Sequence, residues 1–249
     1  MMMLLIDVGN SRLKWAMQRN GQLQATQRIE YRGRPLPLLF EEQWADIPPP
    51  KRVVVTNVAG QSLALALAAW VQDAWGLPID FVQVERESFG VRIAYDDPGR
   101  FGVDRWVSLI AARNLLPGAV CVFDCGTAIT VDVMDASGEH LGGLIAPGLT
   151  LMRKSLSENT QGIGVVPNLS EHPLLARDTA TAVQAGSHWA AVGFIDRMVD
   201  ELQRNMQAPL NTVITGGDAG LLLPQLVGAY RHEPDWLMKG MAIIAEGKA

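Results

Sequence analysis

Two carboxylates, each set at the end of a buried-looking apolar run with a glycine two residues on, are the first residues here able to do chemistry. The text LLIDVGNSRLKWAMQRNGQL carries Asp7, Gly9 and Asn10, and 117 residues later CVFDCGTAITVDVMDASGEH carries Asp124, Gly126 and Thr127. Without a gap, Asp7 falls on Asp124, Gly9 on Gly126, Asn10 on Thr127, Met17 on Met134 and Gly21 on Gly138. Each copy is an apolar run, a bend, a second alternating run, and a turn at Asn20-Gly21 or Ser137-Gly138, which predicts a β-hairpin. A glycine-bounded bend lets backbone N–H groups approach a phosphate, and the amide or hydroxyl beside it adds a further hydrogen bond. One copy alone reads as a tight turn whose Asp and Asn cap local backbone groups. The second copy, which adds Thr130, shifts the reading to a duplicated fold that grips one nucleotide from both sides. Carboxylates at the two bends could then hold a cation or its waters against a polyphosphate. Lys14 suits either a phosphate contact or an ordinary exposed strand position.

A third piece is Thr215-Gly216-Gly217-Asp218, a glycine pair after an apolar run and before a helical one. It reads as a strand-to-helix turn capped by Asp218, or as close backbone approach to an adenine or ribose near a helix N-terminus. A fourth is Gly102-Val103-Asp104-Arg105, which opens a helical pattern, with Tyr95 and Pro98 shortly before it. Asp104 suits a helix start in any case, since the dipole favours an acid there. A carboxylate that accepts a hydroxyl proton beside an arginine that holds the substrate is also what phosphoryl transfer to an alcohol needs.

These groups need elements to hold them. Residues 3–9 and 13–19 are expected as the first hairpin, with a third strand in 24–31. Residues 32–50 contain five prolines and one short helix near Glu41 and Trp44. RVVVTNV reads as a buried strand, QSLALALAAWVQDAWG as a helix closed by Gly76, and residues 80–84 as a short strand. Residues 87–102 look like a functional loop, and VDRWVSLIAARNLL like a helix ending at a Pro117-Gly118 hinge. The second half repeats the order: a hairpin over 119–136, a strand HLGGLIAP, a helix near 149–157, and a loop over 161–177. A long helix over 179–205, the strand TVITGG, a short helix AGLLLPQLVG and a terminal helix over 236–246 follow. Strand triplets followed by alternating helix and strand, twice over, predict an α/β fold of two similar lobes with a cleft between them.

At 249 residues, 48% hydrophobic and 19% charged, the chain has the composition of an ordinary globular protein. A net charge of −5 gives it no general attraction for nucleic acid or anionic membrane. The opening MMMLLIDVG lacks the positive flank of a signal peptide, and no apolar run nears the roughly 20 residues that span a bilayer. Cys121 and Cys125 share one expected strand, about 13 Å apart at the usual rise, which is too far for a disulfide. Reduced core thiols are the plain reading. The seven tryptophans are expected in the core.

In order and spacing, DVGNS, GVDR, DCGTAITVD, GGLIAPG, TGGD and the tail HEPDWLMKGM resemble the type III pantothenate kinases. That family belongs to the acetate and sugar kinase, Hsc70 and actin superfamily, and the resemblance covers nearly the full chain. It implies a duplicated actin-like (ribonuclease H-like) fold, with one lobe over 1–117, another over 118–249 and a central interlobe cleft. It implies ATP-dependent phosphorylation of the terminal hydroxyl of pantothenate to 4'-phosphopantothenate, the first step of coenzyme A biosynthesis, in the cytoplasm. ATP would be bound by Asp7, Val8, Gly9, Asn10, Ser11, Arg12, Leu13 and Lys14, with Gly126, Thr127, Gly216 and Gly217. Asp104 matches the family's general base. Tyr95, Gly102, Val103, Asp104, Arg105 and Thr179 match its pantothenate positions. Asp124 matches the ligand of a monovalent cation, K⁺ or NH₄⁺, needed alongside Mg²⁺. A homodimer is implied, in which Thr179 completes the partner's substrate pocket. Ser11 stands where threonine is commoner and Val103 where alanine is, Asp178 replaces a frequent asparagine, and nothing carries over to SENTQGIGVVP. The alternatives are a superfamily kinase for another small alcohol or acid, and a nucleotide-binding regulatory protein without turnover. The acids needed for catalysis are all in place, which favours the enzyme.

Overall fold

The computed structural model describes residues 2–164, 172–206 and 208–247. Residues 165–171, part of the expected loop over 161–177, lie outside them. The chain forms two compact units. The first runs to Leu116 and takes in Gly138–His140 and the segment from Asp235; the second is Pro117–Ser137 with Leu141–Pro234. The terminal helix, expected with the second half, therefore belongs to the first unit by its contacts.

In the first unit, strands β1 (Met2–Val8), β2 (Arg12–Arg19), β3 (Gln22–Leu23) and β4 (Gln27–Glu30) precede helix α1 (Leu36–Trp44). Strand β5 (Arg52–Asn57), helix α2 (Gln61–Trp75) and strand β6 (Ile79–Phe81) follow, then a small hairpin of β7 (Glu87–Ser88) and β8 (Val91–Arg92), and helix α3 (Val103–Leu115). The sheet order is β3-β2-β1-β5-β6, with β4 also paired to β2. β1 runs antiparallel to β2 and parallel to β5. A central strand of this kind is covered on both faces, which is why Leu4, Leu5 and Ile6 are an unbroken apolar run with no exposed surface. Leu4, Ile6 and Val8 pack with Phe40, Trp44, Leu67 and Trp70 of α1 and α2. Met3 and Leu5 pack with Val107 of α3 and with Leu237, Met238 and Met241 of the terminal helix.

The second unit has strands β9 (Ala119–Cys125), β10 (Ala128–Met134) and β11 (His140–Pro147), with helices α4 (Leu149–Asn159) and α5 (Thr179–Asn205). Strand β12 (Leu210–Thr215), helix α6 (Ala219–Leu222) and strand β13 (Arg231–His232) complete it, and α7 (Trp236–Glu246) is the terminal helix. Its sheet order, β11-β10-β9-β12-β13, repeats that of the first unit. Phe123, Cys125, Val131 and Ile214 bury one face against Ala191, Val192, Ile195 and Val199 of α5. Both cysteines are free and buried.

Several bounds differ from the sequence reading. α1 starts at Leu36 because Pro37 sits within its first turn, where a missing N–H costs nothing. The strand expected over 24–31 is the shorter β4, with β3 lying just before it, and the one over 80–84 is Ile79–Phe81. Residues 87–102 are more ordered than a loop: they hold the β7–β8 hairpin, turning at Phe89 and Gly90 with positive φ, and a 3-10 turn at Pro98–Arg100.

Candidate active site

Asp7 sits on the central strand, opposite Lys14 of β2 and beside Thr56 of β5. The residue is 5% exposed; its carboxylate accepts a hydrogen bond from the Thr56 hydroxyl at 2.9 Å and lies 3.9 Å from Lys14 Nζ. Burying a carboxylate costs its hydration, which hydrogen-bonding and charged partners offset. The bend beyond it is closed by Gly9 N–H donating to Arg12 C=O at 3.1 Å. Tyr31, just past β4, donates its hydroxyl to the Gly9 and Asn10 carbonyls at 2.9 and 3.1 Å, and Arg32 Nε donates to the Asn10 carbonyl at 3.0 Å. Asn10 and Arg12 are exposed and Ser11 partly so, whereas the Val8 and Leu13 side chains are core. Val8 and Leu13 therefore offer a ligand only backbone. Arg12 is paired with Glu30 at 3.1 Å.

In the second unit Asp124 lies opposite Thr130 of β10 and beside Thr215 of β12. Both sheets thus place an acid on the first strand and a threonine on its parallel neighbour. The ungapped match of the two hairpins slips by one residue at the bend. Four residues separate the last pair Val8–Leu13, but three separate Cys125–Ile129. Lys14 consequently corresponds to Thr130, not Val131. Gly126 N–H donates to the Ala128 carbonyl at 3.0 Å, and Asp218 N–H to the Cys125 carbonyl at 2.9 Å. The bend at Gly126 and the loop at Gly216 therefore meet. Gly216 has φ +96°, and a Cβ there would lie 2.5 Å from Asp124 Oδ1, so only glycine fits. Gly148 donates its N–H to the Thr127 carbonyl at 3.0 Å, and a Cβ on it would overlap the Gly126 carbonyl. Gly217 and Thr127 are exposed. Thr179 is exposed at the first position of α5, whose N-cap Asp178 accepts from Thr181 N–H at 2.9 Å. Those bonds hold the Asp178 carboxyl below its ordinary range.

A third cluster forms where α3 begins. Gly102 is the N-cap with no side chain to offer, and Asp104 Oδ1 accepts from Arg105 N–H at 2.9 Å. A Cβ on Gly102 would come within 2.6 Å of that Oδ1, so glycine keeps the approach to the carboxylate open. Arg105 is only 5% exposed; its guanidinium lies 4.5 Å from the Phe101 ring centroid and donates to the Tyr95 hydroxyl at 3.2 Å. His140 stacks on Tyr95 and packs against Phe101. A cation among ring faces is stabilised by their quadrupoles. Its planar fork is the group that holds a carboxylate in two places at once. Tyr95 and Arg105, expected together, are together. Val103 is partly buried and packs against the β1, α3 and α7 core.

Thr56, Tyr31, Arg32, Phe101, His140 and Gly148 are neighbours that the sequence reading did not assign. Thr56 had a signal, because VVVTN and TVITG end alike on the strands parallel to the two acid strands. The rings of Phe101 and His140 had none, since they meet only through the tertiary path.

Oxygen is the donor chemistry at both bends, and it suits hard cations. Gly216 leaves room beside the Asp124 carboxylate, since a Cβ there would lie 2.5 Å from Oδ1, whereas one on Gly126 would make ordinary contact at 3.6 Å. No cluster of three or more His, Cys, Asp or Glu residues occurs among the described residues. A divalent ion here would therefore be held mainly by substrate phosphates, with one or two carboxylates, as Mg²⁺ commonly is. The Cys121 and Cys125 thiols are pushed up by burial, then by Asp132 and Asp124 respectively, and stay protonated. They offer no soft site.

The family model for type III pantothenate kinase matches residues 3–201. A type III pantothenate kinase of Nitrosococcus oceani is 41% identical, covering 98% of this chain and 94% of that protein. One from Azoarcus is 37% identical, covering 100% and 92%. Among solved structures, the ethanolamine utilization protein EutJ of Carboxydothermus hydrogenoformans shares the fold at TM-score 0.56 and 15% identity, over 96% of this chain and 88% of that one. The (R)-2-hydroxyglutaryl-CoA dehydratase component A of Acidaminococcus fermentans does so at 0.50 and 15%, over 97% and 95%. The duplicated sheet order is that of the actin-like α/β fold. With the family model matching residues 3–201 and a relative 41% identical over 98% of the chain, the chain belongs to the type III pantothenate kinase family.

Proposed function

We propose that the chain transfers the γ-phosphoryl group of ATP to the terminal hydroxyl of pantothenate, with Asp104 as the general base. The activity is ATP-dependent phosphorylation of pantothenate in coenzyme A biosynthesis. The observation that carries the assignment of residues is the start of α3. Asp104 engages Arg105 N–H through Oδ1, while Oδ2 has no hydrogen bond among the described residues. Beside it is a buried guanidinium locked by Tyr95 and Phe101. Arg105, Tyr95, the backbone of Gly102 and Val103, and Thr179 would hold the acceptor, the arginine taking its carboxylate. Asp104 Oδ2 would orient the hydroxyl and take its proton late. Phosphoryl transfer asks for positioning and charge neutralisation more than for an activated nucleophile.

The backbone of residues 7–13, with Lys14, Gly126 and Thr127, would cradle the phosphates. Gly216 and Gly217 would let the backbone approach the nucleoside. Asp124 would hold K⁺ or NH₄⁺ beside Gly216, and Asp7 would face the waters of Mg²⁺. When bound, the cations supply neutralisation of phosphate charge. Lys14 lies 3.9 Å from Asp7, within reach of the same charge. Assembly as a homodimer with a shared substrate pocket is supported by an apolar groove of about 580 Å³ in the second unit, lined by Pro147, Leu151, Met152, Leu156 and Ala190. Leu144 and Ile145 of β11, the strand that ends at Pro147, are 44% and 65% exposed. The apolar face of α3 is buried against α7 in its own unit and so is not offered for this contact. A cytoplasmic setting fits free cysteines and the absence, among the described residues, of a helix long and apolar enough to cross a membrane.

An acceptor screen with MgATP tests the reading. Pantothenate should be turned over, and acetate and hexoses should not; potassium or ammonium should raise the rate where sodium does not. Turnover of a sugar or acetate in preference to pantothenate would contradict it.

A further inference from the structure

The bend that follows Asp7 is held from outside by two residues that no motif includes. Tyr31 belongs to the core on its ring side, packing at the edge of the cluster around Leu13 and Trp15. Strand β4 delivers it: the pairing of Leu13 with Ile29 and Arg12 with Glu30 places the next two residues beside the bend. The Tyr31 hydroxyl proton is shared between the carbonyls of Gly9 and Asn10, at 2.9 and 3.1 Å. Arg32 Nε–H donates to the same Asn10 carbonyl at 3.0 Å. A trans peptide unit is rigid and planar, and its N–H points opposite to its C=O. Fixing the Gly9 carbonyl fixes the N–H of Asn10, and fixing the Asn10 carbonyl fixes the N–H of Ser11. Both donors are thereby turned to the side away from Tyr31 and Arg32. Successive N–H groups aimed one way form an anion-binding concavity. The arrangement has a reason to exist, because an exposed bend containing glycine would otherwise sample many peptide orientations.

We infer that Tyr31 and Arg32 are positioning residues for the nucleotide's phosphate chain, pre-orienting the Asn10 and Ser11 peptides before ATP arrives. The inference rests on the reading of this bend as the phosphate site. It predicts a selective defect. Interactions that preorganise phosphate donors contribute to ATP affinity and leave that of adenosine unchanged. Tyr31→Phe keeps the ring and removes only the bridging hydroxyl. Arg32→Met keeps the length of an exposed stem, and Arg32→Lys retains a donor.

The experiment is titration calorimetry of the purified full chain with MgATP and, separately, with adenosine, alongside melting curves. Wild type should bind MgATP more tightly than adenosine. Tyr31→Phe and Arg32→Met should each weaken MgATP on the order of three- to tenfold, the worth of one hydrogen bond, with adenosine unmoved. Arg32→Lys should recover part of the loss. If wild type prefers MgATP while both variants keep its ratio of affinities, or lose both ligands alike, the positioning role is overturned and the phosphate site stands. If wild type itself binds MgATP no better than adenosine, the reading of the bend falls together with the inference.

Discussion

His188 lies on α5 with 1% of its surface exposed, its ring stacked 3.9 Å from that of His172. Burial first, and then the neighbouring His172, lower its pKa; the Gln225 amide opposes them. A histidine whose folded pKa lies below the unfolded value takes up its proton more readily in the unfolded chain. Stability should therefore fall as pH drops below about 6.5, and stop falling once the folded pKa is passed. Replacing His188 with Leu should flatten that slope in thermal melts between pH 7.5 and 5. Equal slopes for both proteins would refute the assignment. The residues of the site were legible to the extent that their types recur in register: an acid after an apolar run, glycine at a bend, an acid and arginine opening a helix. Thr56 was missed because a parallel register is not written in either strand alone. Tyr31 and Arg32 were missed because a hydroxyl holding carbonyls leaves no spacing signal.

Elements divide in the same way. Helices α3 and α5 were legible with nearly their observed bounds, since each joins apolar periodicity to a start signal in Gly102 or Asp178. The start of α1 was not, because prolines that break a helix interior are welcome in its first turn. The one-residue slip between the hairpins was also hidden, as two similar strands align equally well on either side of a bend. Nor did periodicity say which sheet α7 covers. That choice is made by close packing: Gly240 sits where α7 crosses α3, and a Cβ there would overlap the Val107 carbonyl and come within 2.7 Å of its Cγ1. Gly240→Ala should destabilise the protein by about 1–3 kcal/mol through overpacking, despite the better helix propensity of alanine. Urea unfolding measures this. A variant as stable as wild type would mean the two helices separate freely.

For the whole molecule, the duplicated sheet order places two equivalent acids on two equivalent strands, Asp7 and Asp124. That was the most legible feature of the sequence, since repetition at this spacing needs no knowledge of packing. The contribution of a second copy is a separate matter. If Thr179 completes the pocket of a partner, then Asp104→Asn and Thr179→Val, each poorly active alone, should regain activity when their subunits are exchanged. One of the two pockets in a mixed dimer would hold both intact residues. Mixtures no better than either parent after verified exchange, or full activity in a monomer by sedimentation, would remove the shared pocket. The central claim is that this chain phosphorylates pantothenate through Asp104, and kinetics of Asp104→Asn test it most directly. The amide can still accept from Arg105 N–H and keep the turn, but it cannot take a proton. The account predicts a melting temperature near that of wild type and a kcat for pantothenate lower by about 10²–10⁴-fold. Near-normal turnover by the folded variant would contradict it.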